Sequence, residues 1–166
     1  MPADERSLAW FRAAYGEALR SAQALAESLR RVELPASAGA LEAADAGTRE
    51  RIDAFVLRFL RLQDAIGRQL FRALLALEQE EPAQLTQLDV LDRAERMGLV
   101  PSVERSTSLR RLRNLLTHEY PERPELRLEA LREALAGAPL LLETLARVRE
   151  RAIHRHGLDD LPPAPA

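Results

Sequence analysis

Apolar residues recur every three or four positions along most of the chain, and that spacing predicts helices. Leu8, Phe11, Tyr15, Leu19, Ala22, Leu25 and Leu29 form one stripe, so a first helix is expected from about Asp4 to Val32. The stretch 34–47 holds Pro35, Gly39 and Gly47 and keeps no period, which reads as a loop. Ile52, Phe55, Val56, Phe59, Leu62, Ile66, Leu70, Leu74 and Leu77 restore helical spacing, with Thr48 as the candidate cap and Pro82 closing the run near Glu80. Thr86 and Asp89 resemble a capping box that opens a short helix ending at Gly98. Ser102 caps a fourth helix that should stop at Tyr120, because Pro121 disfavours helical backbone in the residue before it. A fifth helix begins at Pro124, and Gly137 and Pro139 within it predict a kink.

These elements predict an all-α fold, an antiparallel bundle of four long helices plus one short helix. One domain over 1–156 is expected, followed by a Pro-rich tail, 157–166, whose composition predicts disorder. Composition agrees with the helical reading: 46% of the 166 residues are hydrophobic and only 4% aromatic, with few strand formers. All 24 basic residues are Arg and none is Lys, which excludes Schiff-base chemistry and a P-loop lysine. The absence of cysteine removes thiolate nucleophiles, disulfides and zinc-finger ligand sets. The first twelve residues lack the apolar run of a signal peptide, and arginines interrupt every apolar stretch before it reaches membrane-spanning length. The expected location is therefore the cytoplasm, without membrane association. A formal net charge of −2 gives no global attraction to nucleic acid, and DNA is not an expected partner.

Candidate chemistry concentrates at the end of the fourth helix, in Arg110-Arg111-Leu112-Arg113-Asn114-Leu115-Leu116-Thr117-His118-Glu119-Tyr120. Leu109, Leu112, Leu115 and Leu116 define its buried side. On a regular helix His118 would lie about 140° from Arg113, with Arg110, Asn114 and Thr117 between them. Histidine can act as base or acid near neutral pH, and arginine presents a planar cation matched to phosphate oxygens. These residue types suit RNA cleavage by the strand's own 2′-hydroxyl, which needs a base, an acid and a cation but no metal. A single histidine cannot easily serve as both acid and base, whereas two copies of the helix facing across a two-fold axis would supply a pair.

Arg113-Asn114, three residues, His118, one residue and Tyr120 together resemble the R-x4-H-x-Y signature of HEPN ribonuclease toxins, specifically the HepT-like branch. The order of elements is similar too, most clearly over 49–151, and would make 1–156 a HEPN-like domain. The resemblance implies a homodimeric, metal-independent endoribonuclease with a composite site at the dimer interface. Arg113 and His118 would be the catalytic pair, with Asn114, Arg110 and Thr117 in support. No metal or cofactor is implied. The partners implied are an RNA substrate and a cognate minimal nucleotidyltransferase antitoxin, which would silence the toxin by AMPylation of Tyr120. A bulky anion there would compete with RNA phosphate for the arginines. The long first helix and the Pro-rich tail depart from the family's pattern and bear on antitoxin docking.

Plainer readings stand beside these. Arg113 could be solvated, or paired with Glu104 or with a neighbouring helix. His118 could satisfy the helix's last carbonyls, and Tyr120 could anchor the helix end. A catalytically silent dimeric subunit that binds a nucleotidyltransferase or nucleotide is the alternative to the enzyme, and a purely structural bundle is the third possibility. His154 and His156, two positions apart on a helix, point to different faces and read as surface residues rather than metal ligands.

Overall fold

The computed structural model describes residues 4–118 and 122–166, and it is all-helical, with no strand among the described residues. Helix α1 spans Glu5–Arg31, and its N-cap Asp4 accepts a hydrogen bond from the Ser7 amide at 2.8 Å. The expected loop that follows contains a single helical turn and a half, α2 (Ala38–Glu42), capped by Ser37. Helix α3 runs over Ala46–Asp64. Its cap is Asp45 rather than Thr48: the Asp45 carboxylate accepts from the Thr48 amide at 2.7 Å, and helix begins three residues before the expected start.

The long second helix of the sequence reading is one rod with a change of winding inside it. Residues Ala65–Leu70 are π-helical, and α4 (Phe71–Leu77) resumes the ordinary pitch. The Phe71 amide reaches back five residues to the Ile66 carbonyl. The Gly67 carbonyl accepts from Gln87 Nε2 at 2.9 Å, which pins the start of the next helix, α5 (Gln87–Arg96), against this segment. The capping box is present as expected, with Thr86 and Asp89 bonding reciprocally. Helix α6 spans Val103–Thr117 and α7 spans Pro124–His156, continuing through Pro139.

Helix α1 packs along α3, the π segment and α4, while α7 contacts α1, α2, α3 and α6. Between them lie Phe11, Tyr15, Phe55, Phe59, Leu62, Leu74 and Leu131, all fully buried. Each such side chain removed from water contributes about 1.5–3 kcal/mol. Arginines tether the connections. Arg72 donates to the Pro82 and Leu85 carbonyls at 2.6 and 3.0 Å, and Arg132 donates to the Ala36 carbonyl at 2.8 Å.

The tail does not match the expectation of disorder. Gly157 ends α7 in the left-handed conformation, φ 64°, and turns the chain back onto the bundle. Leu158 and Leu161 are buried, the Tyr15 hydroxyl donates to the Pro162 carbonyl at 2.6 Å, and Arg149 Nε donates to the Leu161 carbonyl at 2.9 Å. Arg12 and Asp160 add a two-pronged ion pair at 2.7 and 3.0 Å. The two leucines give the tail an apolar side, and α1 supplies hydrogen bonds that a Pro-rich composition does not reveal. Among the described residues no helix is long and apolar enough to cross a membrane.

Candidate functional site

The position of α6 is set at its start and along its apolar side. Ser102 Oγ accepts from the Arg105 amide at 3.0 Å, and Glu95 Oε2 accepts from the Val103 amide at 3.0 Å. Leu109 and Leu112 are buried, and Leu115 and Leu116 pack partly against the core. This orientation turns Arg110, Arg113 and Asn114 toward a cleft of about 300 Å³ bounded by the end of α3, the π segment, α5, α6 and α7.

Arg113 is not a free cation at the cleft. Its guanidinium makes a hydrogen-bonded ion pair with Asp64 of α3. The pairing with a neighbouring helix, rather than with Glu104, is therefore the one found. Asp64 is also 3.8 Å from Arg68, so one carboxylate serves two guanidinium groups. Arg113 and Asp64 remain 38% and 34% exposed, leaving both within reach of a ligand. Among the described residues, Arg68, Arg110, Arg111 and Arg113 line the cleft against the single acid Asp64, a local excess of three positive charges on a chain whose net charge is −2. Such a cleft attracts anions.

The other expected site residues lie elsewhere. Helix α6 ends at Thr117, three residues before the expected stop. His118 is its C-cap, with extended backbone at φ −95°, ψ 129°, and its amide donates to the Asn114 carbonyl at 3.2 Å. The 140° helical separation from Arg113 therefore does not apply, and His118 is not among the residues that line the cleft. Thr117 is also outside the lining; its hydroxyl donates to the Arg113 carbonyl at 2.7 Å. Tyr120 lies outside the described residues. Arg110, Arg113 and Asn114 thus line one cleft, and His118 is not among its lining residues.

Asp64, Arg68 and Gln63 are among the cleft residues that were not singled out from the sequence. Gln63 carried a readable signal. It falls four residues after Phe59 and three before Ile66, a polar residue on an apolar stripe. It is 8% exposed, and neither its amide nitrogen nor its amide oxygen has a hydrogen-bond partner.

A second polar cluster sits where α4 meets the end of α7. Arg151 binds Glu78 with both prongs, at 2.5 and 2.8 Å. Burial acts to raise the Glu78 pKa, but the Arg151 hydrogen bonds and the nearby Arg155 and His156 charges outweigh it and hold the carboxyl below its usual value. His154 is exposed as expected. His156 is not a surface residue: its imidazole is 18% exposed, with Nε2 3.9 Å from Glu78. No group of three His, Asp or Glu side chains is arranged to hold a metal ion among the described residues.

Compared with family models, curated proteins and solved structures, the chain matches none.

Proposed function

We propose that this chain is a metal-independent endoribonuclease toxin of the HEPN type, acting in the cytoplasm and held in check by a minimal nucleotidyltransferase. The observation that carries the reading is the arginine-rich cleft beneath α6, with four guanidinium groups against one carboxylate among the described residues beside Asn114. The R-x4-H-x-Y spacing over Arg113, His118 and Tyr120 gives that cleft its family interpretation. In this reading the long helices form an antiparallel four-helix bundle with α5 as the short insert. Two copies pair so that His118 of each chain meets the arginines of the other. One imidazole takes the proton from the 2′-hydroxyl as that oxygen attacks phosphorus, and the other protonates the departing 5′-oxygen. The arginines hold the phosphorane's charge. The products are a 2′,3′-cyclic phosphate and a free 5′-hydroxyl. AMPylation of Tyr120 would place a competing anion next to these cations.

A second reading, a catalytically silent dimeric subunit for the nucleotidyltransferase, is favoured by the Arg113–Asp64 pair and by the absence of His118 from the cleft lining. Expression of the wild type beside Arg113→Ala and His118→Ala, with growth, RNA integrity and molar mass measured, separates them. Growth arrest and RNA cleavage lost in both variants support the enzyme. A folded dimer that leaves RNA intact supports the silent subunit, and a monomer that leaves RNA intact removes both.

A further inference from the structure

The ion pair at the cleft is built differently from those that tie the fold together. Arg12–Asp160 and Arg151–Glu78 are two-pronged, each guanidinium giving two nitrogens to the two carboxylate oxygens. Arg113 and Asp64 meet through Nη1 and Oδ1 alone. Both side chains keep solvent contact, and a one-pronged pair in contact with water is weakly held. The same Oδ1 lies 3.8 Å from Arg68 Nε, four residues further along its own rod. Asp64 therefore has a second cation within reach of a side-chain rotation, without movement of the backbone.

The surrounding charge favours exchange of this carboxylate for a better-matched anion. Arg110 and Arg113 are three positions apart on α6, which makes them neighbours on its surface, and Asn114 follows directly. All three line the cleft. Among the described residues Asp64 is the one acid in the lining, and its contacts are with Arg113 and Arg68, not with Arg110. The α6 side of the cleft therefore keeps uncompensated positive charge. A phosphate group spreads its charge over several oxygens on a tetrahedral centre, so it can meet two guanidinium groups at once, and the Asn114 amide adds a neutral donor.

We propose that Asp64 is a resident stand-in for a phosphate group: its carboxylate holds Arg113 until a phosphate takes its place, and it then moves onto Arg68. The arriving phosphate is received by Arg113, Arg110 and Asn114. The exchange is complete within one chain, so it depends neither on pairing of two copies nor on catalysis. It rests on the proposed function only in taking an RNA phosphodiester as one source of the group, the other being a free phosphate monoester. Asp64 thus makes the chain bind phosphate more weakly than its arginines alone would.

The test titrates the full chain by calorimetry with a single-stranded 2′-O-methyl RNA hexamer, which lacks the attacking hydroxyl and stays whole, and with uridine 5′-monophosphate. Asp64→Asn should bind about fivefold tighter than wild type, the worth of one exposed ion pair no longer broken on binding. Asp64→Glu, which keeps the charge, should not show that gain. In an Arg113→Ala background Asp64→Asn should give no gain, because the displaced contact is already absent. Asp64→Ser repeats the comparison if the amide disturbs packing. A gain with the hexamer assigns the site to an RNA strand, and a gain with the monophosphate alone assigns it to a free phosphate monoester; either supports the exchange. Absence of binding at millimolar concentration, equal or weaker binding by Asp64→Asn, or a gain that survives Arg113→Ala overturns the proposal. Cleavage of unmodified RNA by wild type without such a gain sinks the exchange and leaves the nuclease intact, and a gain without cleavage does the reverse.

Discussion

Substituting Gly137 with alanine tests how tightly α6 is held against α7. A methyl at Gly137 would fall far inside contact distance of Leu109 Cδ2, with Leu109 Cγ and Cδ1 at 3.7 and 3.8 Å. Leu109 is 3% exposed and borders the cleft, so its Cδ2 must leave a packed position to make room for the methyl. Two effects oppose each other. Replacing a mid-helix glycine stabilises by about 0.5–1 kcal/mol where space allows. Forcing an extra methyl into a packed contact costs about 1–3 kcal/mol. Here the second wins, with a net loss of about 1 kcal/mol and at most about 2. For a chain of this size the melting temperature should fall by about 2–4 °C per kcal/mol. Urea melts should show a lower midpoint with an unchanged slope. Leu109→Ala supplies the control. Alone it costs about 2–5 kcal/mol, but it empties the space that the new methyl needs. Gly137→Ala added in that background should therefore cost nothing or stabilise, a coupling of about 1–2 kcal/mol. Equal or higher stability of the single variant, or strict additivity with Leu109→Ala, would refute the close-approach argument.

Two further outcomes follow from the periphery of the bundle. Arg151→Ala should destabilise the chain by about 2–3 kcal/mol, below the full value for a wholly buried pair because both side chains keep some solvent contact. The depressed Glu78 pKa contributes stability that is fully present above the unfolded carboxyl's value near 4.5 and is lost as pH falls through the lower folded value. Thermal melts from pH 7 to pH 3 should therefore show a smaller acid-induced drop in Glu78→Gln than in wild type. At the tail, Leu161→Ala should cost about 2 kcal/mol in a urea melt, because the side chain is 4% exposed; a disordered tail would give no change.

Local chemistry explains which parts of the fold were readable in advance. The Thr86–Asp89 box, the Ser102 cap and the Pro124 start each depend on residues within one turn, and each appears where the sequence puts it. The first helix, expected from Asp4 to Val32, differs only at its caps. Errors arise where distant groups decide. Thr48 and Asp45 are both competent caps, and Asp45 wins by reaching the Thr48 amide itself. The π winding leaves Leu62, Ile66 and Leu70 at ordinary helical spacing, so periodicity does not register it. The tail's order comes from Tyr15, Arg12 and Arg149, all far away in sequence. At the site, the sequence brought out Arg110, Arg113 and Asn114 because they share a helix. It could not bring out Asp64, which meets Arg113 across 49 residues of chain.

The wide turn at Ala65–Leu70 also limits how the rod can change length. A π turn holds roughly one residue more than an α turn, so everything beyond it is rotated by about 100° from the direction an unbroken helix would give. Upstream, that angular offset leaves Gln63 facing inward beside Phe59 and Leu62; downstream, it directs Phe71, Leu74, Leu75 and Leu77 inward too. Losing a single residue from the turn would straighten the winding and send one of these two sets toward water. The rod is thus a chain of two screws joined out of step, and the opening beneath α6 sits at the joint.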